Sequence, residues 1–214
     1  NMGKNSFYCK YMKGFLDRTL AFLVMICFWW VYLIIAVLIK IEDPKGPVIF
    51  KQERLGKRGE VYWMYKFRSM RVGAEQMGSG VYSDNKDPRV TKMGRILRAT
   101  SLDELPQLWN VLKGDISLVG FRSPLTYHPW TWEEYTEEQK KMFELKPGIT
   151  GWAQVNGRRT VEWNQRIAYN IWYAEKVRFS TEIVLNYRRC VGARGVVCGG
   201  VFCSGACGSE AVYV

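Results

Sequence analysis

The sequence predicts an α+β protein: an N-terminal membrane helix, re-entrant or spanning, followed by a mostly helical domain with one small β-hairpin. Three observations support this class. Residues 20–39 carry no charge, residues 47–70 alternate around a glycine-containing turn, and later segments show the apolar spacing of helices. We therefore divide the 214 residues into an N-terminal segment with the membrane helix (1–45), a central domain (46–180) and an atypical tail (181–214).

The composition indicates a folded chain with an anionic partner. Apolar residues make up 48% of the sequence, and 31 basic against 20 acidic residues give a net charge of +11. This excess suits nucleic acid, an anionic membrane or a phosphorylated substrate, and charge alone does not choose among them. The stretch between residues 28 and 189 contains no cysteine, which weakly favours a reducing compartment.

The apolar run Leu20–Ile39 could cross a bilayer as one helix, since twenty residues measure about 30 Å. No small-residue cleavage site follows, which argues against a signal peptide. Both flanks are basic: four cations against one acid over 1–19 give +3, and six against four over 40–60 give +2. Basic flanks stay cytoplasmic, and Trp29 and Trp30 would occupy an unfavourable midplane position in a straight span. We therefore favour a re-entrant helix.

Residues 47–70 are predicted to form a β-hairpin with its turn between Gly56 and Gly59. Its second strand has two alternating faces. One places Lys66 beside Arg68, cations that are usually solvated on a strand. The other face is expected to be core and carries Val61, Trp63, Tyr65 and Phe67.

A short helix without acidic residues is predicted at 89–100, after a glycine-rich segment (71–88) that we expect to be a mobile loop. Its cations recur at every third residue: Arg89, Lys92, Arg95 and Arg98. Such a face can rest on lipid headgroups or hold a phosphate. Both apply if the substrate is itself a membrane lipid phosphate.

Two adjacent carboxylates, Asp103 and Glu104, stand shortly before a proline. Ser101 and Glu104 would form a capping box in a helix beginning at Ser101, but Pro106 would then lie inside that helix. A helix that begins at Pro106 avoids the conflict. Both carboxylates then precede a helix N-terminus, with Arg98 five residues upstream. Such a turn can hold a metal ion and a phosphate together.

The remaining segments offer no competing catalytic set. Residues 131–145 are expected to form an acidic, aromatic surface helix, and 147–159 a glycine-punctuated loop that either approaches a ligand or simply connects two elements. Residues 161–177 are predicted to be helical, with Trp163, Ile167 and Ile171 in register. The single histidine, His128, lies in a predicted turn, so no Ser-His-Asp triad or histidine metal site is expected.

Four segments resemble the signature of the bacterial sugar transferase family, the monotopic polyprenyl-phosphate phosphoglycosyl transferases. They are PVIFKQERLG, YKFRSM, GRILRATSLDELPQLWNVLKGDISLVG and KPGITGWAQVNGR, and the similarity runs from about Lys13 to Phe179. The resemblance implies an enzyme of the bacterial inner membrane whose catalytic domain faces the cytoplasm. It would transfer a sugar-1-phosphate from a UDP-sugar to polyprenyl (undecaprenyl) phosphate and release UMP, as the first membrane step of glycan assembly.

The resemblance also implies a role for each candidate residue. Asp103 would attack the sugar-bound phosphorus, giving an acyl phosphate that the lipid phosphate attacks in turn. Asp103 and Glu104 are the metal candidates, for Mg²⁺ or alternatively Mn²⁺. Arg98 would handle phosphate. The other candidate substrate-binding residues are Arg122, Arg158, Lys66 and Gln154.

Three features depart from the family pattern. Trp29 and Trp30 stand where the family often has a helix-breaking Ser-Pro pair. The family's Gly-Pro-Arg-Pro appears with Phe121 and Ser123 in place of its two prolines. The last 25 residues are rich in glycine and unevenly spaced cysteine, so we expect a disordered or aberrant end rather than a zinc site.

Two other functions were weighed. A catalytically impaired family member could serve as a membrane scaffold for glycan enzymes, which Phe121 and the tail favour and the intact Arg98, Asp103 and Glu104 oppose. A nucleic-acid binder is disfavoured, because the sequence has no RNA-binding signature or zinc-finger spacing. We therefore expect no nucleic-acid partner, and a homo-oligomer stays open.

Overall fold

The computed structural model describes residues 7–74, 87–156, 162–183 and 185. Its α-helices are α1 Lys13–Cys27, α2 Trp29–Glu42, α3 Lys92–Thr100, α4 Gln107–Lys113, α5 Glu137–Lys140, α6 Trp152–Val155 and α7 Trp163–Lys176. Its strands are β1 Ile49–Leu55, β2 Val61–Phe67, β3 Ser117–Val119 and β4 Gly148–Thr150. A π-helical turn, Tyr8–Met12, precedes α1, and 3-10 turns lie at Lys57–Gly59, Leu102–Glu104 and Lys141–Glu144. Helices with two small sheets confirm the predicted α+β class.

Helices α1 and α2 form one bent apolar element. The bend of 64° lies at Phe28, in the segment where the sequence predicts a break without a proline. The Phe28 amide still donates to the Val24 carbonyl at 3.0 Å, and the Val31 amide donates to the Phe28 carbonyl at 3.0 Å, which is a tighter turn. Trp29 and Trp30 follow directly and are at least half exposed. In the described part of the chain no unbroken helix has the length and apolar composition of a bilayer span, whereas the bent pair has both when taken together.

Each half of the bent element packs one face against the rest of the protein. Ala21 of α1 lies in a buried cluster with Leu108 and Val111 of α4. Ile35 of α2 lies in a second cluster with Leu97 of α3. The other face exposes a continuous set of large apolar side chains: Phe22, Leu23, Ile26, Leu33, Ile34, Val37 and Leu38. A surface of this kind indicates an apolar environment outside the protein.

The predicted hairpin is confirmed, with β1 and β2 antiparallel and Ile49 opposite Phe67. The predicted core face is wrong, because Val61 and Trp63 are 55% and 50% exposed, although Phe67 is buried. The opposite face of β2 turns inward and carries Tyr62, Met64 and Lys66. It can do so because the lysine meets a carboxylate there, which offsets the cost of removing its charge from water.

Asn110 of α4 closes the free edge of β2. This fully buried residue accepts a hydrogen bond from the Tyr65 amide (3.1 Å) and donates to the Trp63 carbonyl (2.7 Å) and to Asp115 (3.0 Å). Its side chain therefore takes the place of a neighbouring strand. Helix α4 ends as predicted at Gly114, whose positive φ of 90° suits glycine.

The second half of the domain surrounds a small parallel sheet in which β3 pairs with β4. The expected surface helix at 131–145 is wrong. Thr136 and Gln139 form a capping box that starts the short helix α5, and a 3-10 turn follows. Tyr135, Met142 and Phe143 are buried in the core, so this segment is not a surface element. Helix α7 confirms the helix predicted at 161–177, with Ile167 buried.

The structure continues past α7 into the predicted tail. Glu182 is buried and accepts hydrogen bonds from Tyr8 (2.7 Å) and Tyr173 (2.8 Å), and it pairs with Lys13 at 2.6 Å. Leu185 is fully buried. Residues near 182 therefore join the N-terminal segment to α7. Most of the predicted tail (186–214) and of the predicted mobile loop (75–86) lie outside the described residues. The three-part division of the chain stays a prediction.

Candidate active site

Asp103 and Glu104 lie in a 3-10 turn between α3 and α4. Ser101 has a left-handed backbone with φ 59°, and its side chain makes no capping bond, so the capping box is absent as expected. Helix α4 begins at Gln107, one residue after the predicted start, and Pro106 is its N-cap residue. The sharp turn at Ser101 ends α3 and redirects the chain, so both carboxylates lie on a short connection held at each end by a helix.

Glu104 forms the electrostatic centre of the site. Its Oε1 accepts from Nη2 of Arg122 at 2.9 Å and from Nζ of Lys66 at 3.3 Å, and only 13% of its side chain is exposed. Burial alone would raise the pKa of this carboxyl. Arg122 and Lys66 outweigh that effect and hold the pKa of Glu104 at about 2. Glu104 is therefore a permanent anion at neutral pH.

Asp103 differs from its neighbour although both are carboxylates. It is 9% exposed, and burial raises its pKa above the usual value. Lys66 opposes that shift, the Glu104 charge adds to it, and Arg98 and Arg122 oppose it more weakly. The pair therefore holds one carboxylate with high proton affinity beside one with low affinity. Opposite shifts in adjacent groups commonly assign them different chemical roles.

Lys66 is a partly neutral amine near physiological pH. Burial is the main cause, and the Arg122 guanidinium adds to it, so the pKa of Lys66 falls to about 8. The charges of Glu104 and Asp103 oppose this shift. The predicted solvated lysine is therefore buried among the carboxylates instead.

Arg98 is held toward the site by the end of the hairpin. Its Nε donates to Oγ of Ser69 at 2.9 Å. Gly94 permits this approach, because a Cβ at that position would clash with the Ser69 carbonyl oxygen. Helix α3 therefore packs directly on the chain that leaves β2. This packing fixes the helix that carries Arg98 relative to the carboxylates.

Four cations were predicted to share one face of α3, and the prediction is wrong for the first of them, Arg89. Thr91 caps the helix, which begins at Lys92, so Arg89 lies before it. Arg89 is buried and pairs with Asp87 at 2.7 Å. The three-residue spacing between Arg89 and Lys92 therefore does not reflect a shared helix face. Lys92 and Arg95 are exposed on α3, as expected.

Phe121 supports the loop that carries Arg122. Phe121 is 1% exposed, and its ring meets Phe143 edge to face at 5.1 Å. Its carbonyl accepts from the Gly148 amide at 2.8 Å, beside the β3–β4 sheet. Replacement of the family's proline therefore leaves a well-anchored loop, and Arg122 still reaches Glu104.

The hairpin holds the other end of the same loop. The Ser123 and Tyr62 hydroxyl groups lie 2.8 Å apart in a hydrogen bond, and Nη1 of Arg54 donates to the Ser123 carbonyl at 3.0 Å. Leu55 also donates its amide to the Pro124 carbonyl at 3.1 Å. These contacts give Ser123 a structural purpose at the position where the family has its second proline.

The carboxylates of Asp103 and Glu104 suit a metal ion that binds together with a substrate phosphate. The part of the chain that the structure describes contains no group of three or more Asp, Glu, His or Cys side chains placed to bind metal. Mg²⁺ commonly uses one or two carboxylates together with substrate phosphates and water. Because Glu104 already contacts two cations, Asp103 and Glu104 fit an ion brought by the substrate better than a permanently bound one.

The family model described as bacterial sugar transferase matches residues 8–191. The chain belongs to the bacterial sugar transferase family. It is 38% identical over 189 residues to the uncharacterized sugar transferase EpsL of Bacillus subtilis, covering 86% of this chain and 90% of that protein.

Other bacterial sugar transferases are similar over the same region. A UDP-glucose:undecaprenyl-phosphate glucose-1-phosphate transferase of Caulobacter vibrioides is 42% identical over 76% of this chain. The galactosyl transferase CpsE of Streptococcus agalactiae is 43% identical over 70% of it. The chain spans only 62% and 34% of the lengths of these two relatives.

For two of the predicted substrate-binding residues of this sugar transferase, Gln154 and Arg158, the structure describes no contact with the carboxylates. Sequence reasoning also missed other residues near the site. Gln154 donates to the Ile149 carbonyl at 3.3 Å, and its buried Oε1 has no hydrogen-bond donor among the residues described. Arg158 lies outside the described residues. Arg166 was missed: its pKa is lowered by burial and by the Arg122 charge, so it lies near that guanidinium. The contacts made by Ser69, Tyr62, Arg54 and Ser123 were also missed, although Ser69 and Arg54 lie in the quoted motifs.

Proposed function

We propose that the protein transfers a sugar-1-phosphate from a UDP-sugar to undecaprenyl phosphate through a covalent aspartyl intermediate. The observation that supports this most directly is the pair Asp103 and Glu104, whose pKa values shift in opposite directions among Lys66, Arg98 and Arg122. The names of the relatives supply the substrate classes. They include glucose and galactose enzymes, so the sugar is left unspecified.

In the first step an ionised Asp103 oxygen attacks the sugar-bound phosphorus of the UDP-sugar. The bond from that phosphorus to the bridging oxygen breaks, and UMP leaves with the electron pair. The product is an acyl phosphate on Asp103. In the second step an oxygen of undecaprenyl phosphate attacks the same phosphorus. Asp103 leaves as a carboxylate, and the lipid carries a diphosphate-linked sugar.

The surrounding residues act mainly by charge. Arg122 and protonated Lys66 offset the negative charge that collects on the diphosphate and on the departing UMP. Arg98 is placed to bind a phosphate on the α3 side of Asp103. A magnesium ion bound between the carboxylates and the substrate would neutralise further phosphate charge. Glu104, as a permanent anion, keeps the two cations near the reacting carboxylate before substrate binds.

We further propose that α1 and α2 enter and leave one leaflet of the bacterial inner membrane. The 64° bend at Phe28, the exposed apolar face of both helices and the basic flanks support this placement. Both flanks would then be cytoplasmic, where soluble UDP-sugar reaches Asp103. A scaffold without activity gains no support, because the loop at Phe121 still directs Arg122 to Glu104.

The test is UMP release by Asp103→Asn, with a panel of UDP-sugars, undecaprenyl phosphate and Mg²⁺. The amide cannot supply the attacking oxygen anion, so turnover should fall by several orders of magnitude. Glu137→Gln, a change at a 91% exposed side chain, is the matched control and should be unaffected. Without lipid acceptor, the unmodified enzyme should release one UMP per active site and retain the sugar phosphate covalently. Near-normal turnover by Asp103→Asn would refute the assignment.

A further inference from the structure

A cavity of about 470 Å³ lies where α2 ends and α3 begins, apart from the carboxylate pair. The residues that matter for its chemistry are Glu42, Asp43, Arg71, Thr91, Lys92 and Arg95. Asp103, Glu104, Lys66 and Arg98 do not line it. The cavity therefore needs an explanation other than the transfer reaction.

The acidic residues of this cavity already have partners. Glu42 accepts hydrogen bonds from the amides of Lys92 (2.6 Å) and Met93 (2.9 Å). Burial would raise the pKa of Glu42, but these amide bonds prevail and lower it. Asp43 pairs with Arg68, at 3.5 Å from its Nη1, and its carbonyl accepts from the same guanidinium at 2.6 Å. Arg68 therefore neutralises Asp43, whereas the neutral amides leave the negative charge of Glu42 in the cavity.

Three cations are left facing the space. Within the described part of the chain, the side chains of Arg71, Lys92 and Arg95 make no hydrogen bond and no ion pair, and all three residues are exposed. The Glu42 carboxylate attracts Lys92 and offsets part of this positive charge. Three cations against one carboxylate without a cationic partner leave an excess of positive charge, which favours a phosphate or another small anion.

An apolar groove of about 370 Å³ lies beside the charged cavity on α2. It is lined by Ala36, Val37, Lys40, Ile41 and Val48. Ile41 borders the groove and the next residue borders the cavity. The Lys40 ammonium group turns away to donate to the Pro44 and Gly46 carbonyls, at 3.1 and 2.9 Å, which leaves its alkyl stem along the groove.

We propose that the cavity and groove together bind one anionic glycerophospholipid, with its phosphate at Arg71, Lys92 and Arg95 and one acyl chain along α2. The proposal rests on the proposed function only in requiring α2 to lie in a membrane. The occupant is a structural lipid and not the acceptor, because a phosphate in this cavity would not be next to Asp103. It would tie α2 to α3, the helix that carries Arg98 six residues after Lys92.

The experiment compares the unmodified protein with the double variant Lys92→Gln/Arg95→Gln in nanodiscs of phosphatidylcholine with phosphatidylglycerol. Native mass spectrometry counts the lipid retained after release from the nanodisc. The unmodified protein should retain one phosphatidylglycerol, and the double variant should bind it about tenfold or more weakly, as expected for loss of charged hydrogen bonds. Lys140→Gln/Lys141→Gln removes the same charge at the end of α5 and the start of the next 3-10 turn, and this variant should retain the lipid.

Two further arms decide between sources of phosphate. Glycerol 3-phosphate, which has no acyl chain, should compete poorly if the groove contributes. The proposal is overturned if the double variant retains phosphatidylglycerol as well as the unmodified protein does. It is also overturned if glycerol 3-phosphate competes for the site as well as phosphatidylglycerol does. A raised KM of the double variant for undecaprenyl phosphate in pure phosphatidylcholine overturns it too, because the cavity would then serve the acceptor. Lipid retention needs no turnover, so its outcome is separate from that of the UMP assay.

Discussion

The pH dependence of Lys66 gives the most quantitative test of the site. Its pKa of about 8 means that the ammonium form, which we propose binds the diphosphate, is lost as pH rises through that value. By simple titration the cationic fraction falls from about 0.9 at pH 7 to about 0.1 at pH 9. We therefore expect kcat/KM for the UDP-sugar to fall about tenfold across this interval. The ratio kcat/KM is the right quantity because it reports the free enzyme, whereas bound diphosphate would raise the pKa of the lysine.

Lys66→Arg isolates this effect. Arginine stays protonated throughout the interval, so the alkaline decline should disappear even if the absolute rate drops because the fork-shaped group fits differently. Both enzymes are assayed with the same UDP-sugar, so any effect of uracil deprotonation is common to the two pH profiles. Lys51→Arg, at an exposed position on β1, should keep the decline of the unmodified enzyme. A flat profile for the unmodified protein, or an identical decline in Lys66→Arg, would refute the reasoning.

Three further predictions concern the metal, the tail and the topology. Excess EDTA should abolish UMP release and added Mg²⁺ or Mn²⁺ should restore it, because the carboxylates of Asp103 and Glu104 would repel the substrate phosphates without a divalent cation; full activity in metal-free buffer would contradict this. A protein ending at Arg189 keeps the buried Leu185 and should retain turnover in the same assay, whereas a folded but inactive product would show that the last residues contribute. A cysteine replacing Lys4 should not react with an impermeant thiol reagent in intact cells, with the unmodified protein as the control for its native cysteines. Labelling of this cysteine from outside would mean that the helix spans the membrane.

Local chemistry explains which parts of this structure were predictable. Pro106 and Gly114 predicted the limits of α4, because proline is disfavoured inside a helix and glycine readily adopts the positive φ that ends one; the position of the carboxylate turn followed from them. The inward face of β2 was not predictable, because it depends on Lys66 meeting a carboxylate 38 residues later. Alternation identifies two faces of a strand, but it does not say which is covered when the more polar face receives a charged partner.

The site's supporting contacts were also beyond sequence reasoning. Tyr62 and Ser123 are 61 residues apart, and either alone is an ordinary polar residue. Arg89 was assigned to α3 because its spacing from Lys92 matches a helical repeat. The helix begins only at Lys92, after its N-cap residue Thr91. Motif resemblance supplied the candidate catalytic pair and its cations, whereas the groups that hold those cations in place depend on pairings that a single sequence does not display.

The ion pair between Lys13 and Glu182 bears on the order in which the protein is assembled. Lys13 begins α1, so it leaves the ribosome early, yet its 2.6 Å partner is synthesised 169 residues later. Until then Asp17, at 3.4 Å, is the acidic partner available on the same helix. The start of α1 therefore gains its second acidic partner only when translation has passed α7. Chains interrupted before residue 182 would lack this contact at the start of α1, and they would be more open to proteolysis.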